Sequence, residues 1–352
     1  MITGSRFEIV PGLRISITGG AADVRHFDRE YAPCRVAGPE PSGATDQDSS
    51  PAVDVAVGML RSGTGTTADE RAMGLLITGG HKTVRWAVRL SAAGDRPTSA
   101  TIELRGAPAS FARSLVQGYY VEPLLSVAAA EVGYLQLPSA GIVGDAGLDI
   151  LIGRSQAGKS TLAARALAAG RRVIGDDQVV VDAAGQWRPF PRRLRFYPDL
   201  RVTAPGAWAD LTSGSRSRLV GRRAMAALSL GLVRPSLAVD PAELGRRWDP
   251  GPIPAARILL LGRDPSVRDV EIVMTDTHRA LDWAEEVITE QRSKLTRVGD
   301  EAWSDRLRAT SSREREILTA AIEGVAVHEV RIPDNWPAAR AIEATARAIG
   351  LS

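Results

Sequence analysis

The run Leu148-Asp-Ile-Leu-Ile-Gly153-Arg-Ser-Gln-Ala-Gly158-Lys159-Ser160-Thr161 decides how this chain is read. An apolar strand leads into G-x-x-x-x-G-K-S, and a helical pattern from Leu162 to Ala169 comes directly after it. In that setting such a loop holds phosphate: main-chain N–H groups turn inward and the positive end of the helix faces the anion. A chance match in a chain of this length has odds on the order of 1 in 100, and the flanking strand and helix lower them further. Gly153, Arg154, Ser155, Gln156, Ala157, Gly158, Lys159, Ser160 and Thr161 are therefore the candidate nucleotide contacts. Lys159 is expected to reach the β- and γ-phosphate oxygens of ATP, and the Ser160 hydroxyl to complete the coordination of Mg²⁺.

The residues after the loop narrow the chemistry. The helix closes at Gly170, a residue suited to the position after a helix end. Arg171-Arg-Val-Ile-Gly-Asp176-Asp177-Gln-Val-Val-Val181-Asp182 then reads as a second strand carrying two adjacent carboxylates. A buried strand is otherwise a run of β-branched residues, so the two acids need partners. Alternation sends their side chains to opposite sides, one toward a metal at Ser160 and its neighbour toward an acceptor or an arginine. The plainer alternative is a strand-end turn with solvated aspartates. Arg192, Arg193 and Arg195 come next and are candidate substrate contacts, because guanidinium groups pair with phosphate or carboxylate. For any one of them a solvated surface position is an equally good reading. Arg216, Arg218, Arg222 and Arg223 read as an exposed basic helix.

From Gly153 through Asp177 the chain resembles, without a gap, the catalytic run of HPr kinase/phosphorylase, G-[DE]-S-G-x-G-K-S-E-x-A-L-x-L-x-x-R-G-H-R-L-V-A-D-D. Ile174-Gly175-Asp176-Asp177 is also similar to phosphoenolpyruvate carboxykinase. The resemblance implies an α/β fold with a P-loop-containing core of the HPr-kinase and PEP-carboxykinase type. It covers residues 120–185 well and the rest of the C-terminal half loosely. It further implies an ATP- and Mg²⁺-dependent serine kinase, with Lys159 and Asp176 catalytic and with Ser160 and Asp177 on the metal. Two departures stand out. Gln156 replaces a family glycine, which is tolerable if its φ is negative. Leu137-Pro138-Ser139 stands where the family keeps a histidine, which favours one-way phosphorylation over the reverse, phosphorylase-type reaction. Tyr120-Val-Glu122-Pro123-Leu-Leu125 is similar to a segment of HPr-kinase-like kinases of peptide maturation, including the lasso-peptide kinases. That subgroup implies a serine acceptor in a precursor peptide or small protein. A nucleotide-binding regulatory or assembly protein without transfer activity, or a kinase of a small hydroxylated metabolite, is the alternative.

Composition sets the remaining bounds. With 352 residues, 44% of them hydrophobic, the chain can bury a sizeable core. The 44 Lys+Arg nearly balance the 41 Asp+Glu, so no nucleic-acid partner is expected. The single cysteine, Cys34, excludes an internal disulfide and fits a reducing cytoplasm. No run approaches the ~20 apolar residues of a membrane span. A homo-oligomer is allowed. Residues 1–110 read as a β-rich N-terminal domain with strands at 7–10, 13–17, 83–90 and 101–104 and a mobile loop near 38–52. Residues 111–352 read as the catalytic domain. It opens with a helical segment at 111–135 and later has strands at 257–262, 270–275 and 328–332 and helices at 280–291 and 336–348.

Overall fold

A computed structural model describes residues 3–36, 53–61, 75–91, 98–228, 236–244, 251–296 and 301–351. The loop expected near 38–52 lies outside the described residues. The chain is mixed α/β, with three sheets among the described residues. It divides into two compact units, Met1–Leu135 with Thr289–Glu314, and Gln136–Ile288 with Arg315–Ser352.

The first unit is built on a six-stranded sheet: β1 (Thr3–Val10), β2 (Leu13–Gly19), β3 (Val53–Arg61), β4 (Leu75–His81), β5 (Val84–Ser91) and β6 (Thr98–Arg105), in the order β1-β2-β3-β6-β5-β4. The β2-β3 and β3-β6 pairs are parallel and the others antiparallel. Alternation along β1 and β2 buries Phe7, Ile9, Leu13, Ile15 and Ile17. Helix α1 (Ala21–Glu30) covers part of this sheet through Val24 and Phe27, and Phe7 meets Tyr31 edge to face at 5.5 Å. The sequence pattern does not reveal α1, because its apolar stripe is only Val24, Phe27 and Tyr31, set in a polar stretch.

Helices α2 (Ala109–Val116) and α3 (Glu122–Glu131) are joined by a π-helical turn at Gln117–Val121. Gln117 donates to Glu122 Oε1 at 2.8 Å, a five-residue spacing that the wider turn brings into line, and His26 Nε2 lies 2.8 Å from Gln117 Oε1. Residues 122–130 are buried throughout. A helix buried on every side needs cover on every side. The sheet supplies some, through β2 and β3, and residues 289–314 supply more. Arg292 donates to both Glu314 oxygens and to Ser126 Oγ (2.7 Å), and Arg306 pairs with Glu131 at 2.6 Å. For this reason the compact unit runs through residue 135 and recruits a distant segment.

The second unit carries the sheet order β10-β8-β9-β15-β12-β11-β7, with β17 beside β15 and β16 beside β17. Its strands are β7 (Tyr134–Leu137), β8 (Ser139–Gly144), β9 (Gly147–Gly153), β10 (Arg172–Gly175), β11 (Val179–Asp182), β12 (Gln186–Pro189), β15 (Ile253–Asp264), β16 (Glu271–Thr275) and β17 (Ala326–Pro333). A small separate pair is formed by β13 (Leu194–Phe196) and β14 (Leu237–Val239). The helices are α4 (Lys159–Ala168), α5 (Leu200–Thr203), α6 (Pro205–Asp210), α7 (Ser213–Leu228), α8 (Thr277–Arg292), α9 (Glu301–Ala321) and α10 (Ala338–Ala348). The unit division falls within α8 and α9.

The phosphate-loop run sits at the centre of this unit. Strand β9 is parallel to β15, which is parallel to β17, while β8 runs antiparallel to both β9 and β10. On β15, Ile258, Leu259, Leu260 and Leu261 are all buried, each contributing about 1.5–3 kcal/mol of apolar burial. Asp149 on β9 is held by Arg257 on β15 through two bonds of 2.8 and 2.6 Å. Helix α4 packs Leu162, Ala163, Ala166 and Leu167 into the core. It ends as the sequence indicated: Gly170 has φ +82°, its N–H reaches Leu167 O, and Arg171 N–H reaches Ala166 O. No helix among the described residues is long and apolar enough to cross a membrane.

The buried Arg292–Glu314–Ser126 cluster generates a stability test. Glu314→Ala strands a buried guanidinium and is expected to cost about 3–5 kcal/mol in denaturant unfolding. The double replacement Arg292→Met with Glu314→Leu removes both charges and should cost clearly less.

Candidate functional site

The loop from Gly153 to Ser160 owes its shape to two glycines with no room for a side chain. A Cβ on Gly153 would stand 2.9 Å from Ala157 Cβ and 3.1 Å from Leu261 O. One on Gly158, where φ is +102°, would stand 2.5 Å from Ile342 Cδ1 of α10. Gln156 has φ +69°, so it keeps the left-handed conformation that glycine would take, at a cost of about 1–2 kcal/mol. The condition of a negative φ, under which glutamine replaces the glycine without strain, is not met. Gly158 caps α4 with no side-chain bond to the helix start, so the first-turn N–H groups suit an anion.

Lys159 is buried, and its Nζ donates to Gly153 O at 2.6 Å and Arg154 O at 3.2 Å. The ammonium thus closes the loop onto itself. Arg154 points outward and pairs with Glu286 at 2.8 Å, an exposed bridge worth about 0–1 kcal/mol. Ser155, Ala157 and Thr161 lie in the loop and first turn.

Strand β10 ends at Gly175, so the two carboxylates are not inside a strand as the alternation reading required. The pairing of β10 with β8 slips between Val173 and Gly175, a bulge that makes Ile174 the extra residue. Gly141 opposite leaves the space: a Cβ there would stand 2.3 Å from Ile174 Cγ1. After the bulge the chain bends at Asp176 and Asp177 and re-enters as β11. The turn is therefore a strand-end turn, but its aspartates are engaged by protein.

Both meet the link that comes after β12. Asp176 is 2% exposed, and its Oδ2 accepts the Arg195 main-chain N–H at 2.9 Å. Asp177, with its side chain 39% exposed, accepts from Arg192 Nη1 at 2.8 Å. Ser160 Oγ donates to the Asp176 carbonyl at 3.1 Å, which joins the loop to the carboxylate turn. Arg192 and Arg195 are thus brought to the aspartates, with half-buried Arg193 between them.

The two acids differ sharply in proton affinity. Burial, and then the charge of Asp177, push Asp176 up to about 7, against the Arg195 N–H and the charges of Arg192 and Arg195. Burial would raise Asp177 too, but the charges of Arg192, Lys159 and Arg195 outweigh it and hold that carboxyl below its usual value. Ser160 and Asp177 are hard oxygen donors of the kind Mg²⁺ takes alongside phosphate oxygens. Among the described residues no group of three or more His, Cys, Asp or Glu forms an all-protein metal cage.

Three contributors are not visible in the sequence pattern. Tyr197 is partly exposed, and burial and the Asp177 charge raise its phenol. Gln136 and Gln178 are buried and hydrogen-bonded to each other beside Asp177, a pairing that exists only once β7 and β11 lie in one sheet. Helix α7, the expected basic helix, packs on β14, whose Ala238 pairs with Arg195. Burial and the charges of Arg195 and Arg218 accordingly lower the Arg222 guanidinium. Burial, and then Glu8, push the Cys34 thiol up to about 11.

No protein-family model matches this chain, and a search of curated proteins returns no significant match.

The raised Asp176 carboxyl gives a stability signature. A group raised on folding adds stability below its unfolded value, here 3.8, and that stability is lost as pH rises through about 7. Asp176→Asn, neutral throughout, should gain on the wild type by up to roughly 4 kcal/mol above neutrality. The difference should vanish in acid when melting is followed across pH.

Proposed function

We propose that this protein is an ATP- and Mg²⁺-dependent kinase of the HPr-kinase-like type that phosphorylates a serine hydroxyl of a peptide or small protein. The observation that carries this reading is the Ser160–Asp176 hydrogen bond, which sets a G-x-x-x-x-G-K-S loop against a pair of carboxylates of unlike acidity. Pairs of titratable groups whose surroundings drive them apart are suited to separate acid–base and charge-binding duties. The compartment that fits one free cysteine is the cytoplasm.

In this reading the loop N–H groups and Lys159 bind the donor phosphates, with Lys159 exchanging its loop carbonyls for phosphate oxygens. Ser160 and Asp177 would hold Mg²⁺, which would supply positive charge to offset that of the donor phosphates. The acceptor oxygen forms a bond to the γ-phosphorus as the bond to the β,γ-bridging oxygen breaks. The hydroxyl proton passes to Asp176 Oδ1, since Oδ2 holds the Arg195 N–H. A carboxyl poised near 7 suits that proton transfer. Positioning and charge neutralisation supply most of the acceleration.

Transfer of γ-labelled phosphate from ATP to serine-containing peptides tests the reading. Lys159→Ala should abolish transfer, and near wild-type transfer in that variant would sink it. Asp176→Asn should lose about 10²–10⁴ in rate while keeping nucleotide affinity. The wild-type rate should climb as pH rises through about 7, because only the ionised Asp176 accepts the proton. ATP binding without label transfer to any acceptor would instead identify a nucleotide-binding regulatory protein.

A further inference from the structure

We propose that Arg192 occupies the Asp177 carboxylate in the metal-free protein and is displaced by the incoming divalent cation, so that metal loading and release of this guanidinium are a single exchange. The inference rests on the reading of Asp177 as the metal-side carboxylate. Arg192 Nη1 donates to Asp177 Oδ2 at 2.8 Å, so a guanidinium already occupies one oxygen of this carboxylate. A cation binding at carboxylate distance, about 2.0–2.1 Å for Mg²⁺, and a guanidinium on the same oxygens repel one another, so the two compete.

Exposure gives the exchange a direction. The Arg192 side chain is 15% exposed and that of Asp177 is 39% exposed, so the acid can be approached from solvent while its partner lies behind. Asp177 also senses the charge of Lys159 in the loop and directly follows Asp176, whose carbonyl accepts from Ser160. The pair therefore stands beside the phosphate loop. Its setting differs from that of Arg188–Asp182, where Asp182 also accepts from the main-chain N–H groups of Ala184 and Gln186 and so is fixed as part of a hairpin turn.

The main chain of Arg192 is anchored while its side chain is long. Its N–H donates to Phe190 O at 2.8 Å, and the buried residues Phe190 and Leu194 pin the link on either side. Displacement then proceeds by rotation about side-chain bonds, with the main chain held in place. The freed guanidinium becomes available to the anionic oxygens that arrive with the metal, a contact for which arginine is suited.

Mn²⁺ titration of the full chain without nucleotide, read by electron paramagnetic resonance, tests the exchange. Removing the competing cation with Arg192→Gln should tighten Mn²⁺ binding roughly ten- to a hundredfold, the worth of a charge-assisted hydrogen bond. Arg192→Lys, which keeps a cation at the site and guards against a folding artefact, should bind more weakly than Arg192→Gln. Asp177→Asn should weaken binding at least tenfold in either background. Mn²⁺ affinity unchanged or weakened by Arg192→Gln overturns the exchange. Affinity unchanged by Asp177→Asn overturns the metal reading beneath it.

Discussion

Asp176 holds the second unit's site together through two bonds made by one residue. Its carbonyl accepts from Ser160 at the start of α4, and its carboxylate accepts from the Arg195 main chain on β13. The phosphate loop, the carboxylate turn and the arginine-bearing link are thereby fixed to a common point. The turn exists because a bulge at Ile174, opposite a glycine, redirects the chain just before the two acids. Without the missing Cβ of Gly141, Ile174 would have no space and Asp176 would continue along the strand.

Burial then does chemical work on this arrangement. A carboxylate shut away from water beside another carboxylate resists ionisation, and Asp176 rises to about 7. Its neighbour is more open and is surrounded by the charges of Arg192, Lys159 and Arg195, which hold it ionised. Two identical side chains, adjacent in sequence, thus acquire opposite character from their surroundings. The first unit uses buried charge differently: Arg292 donates to both Glu314 oxygens and to Ser126, a cluster that ties a distant segment to a buried helix.

Legibility in the sequence depends on the range of the cause. The loop is legible because glycine, lysine and serine act within a few residues and the flanking apolar pattern is local. The Gly170 helix end is equally local, resting on bonds to Ala166 and Leu167. Helix α7 and strands β15, β16 and β17 also follow from local pattern. Strand β3, although absent from the strands expected, carries an equally local pattern, with Val53, Val55, Val57 and Met59 at every second position; strand β4 and helices α1 and α9 do not, since their apolar residues are sparse or interrupted and gain meaning only against a partner. The extent of the first compact unit is set at the same long range. Nothing within residues 111–131 says that Arg292 and Arg306 will cover them.

The sequence by itself determined that a strand, a glycine-bounded loop and a helix would come one after another, and that two acids and three arginines would come after them. Those features are set by backbone sterics and by side-chain chemistry over short separations. Only the tertiary structure decided what the acids face, which one is buried, and which arginine each one meets. It also decided that Gln156 would take the positive φ that favours glycine. Proton affinity and pairing depend on desolvation and on charges brought from β12–β13, and these exist only after the chain has folded.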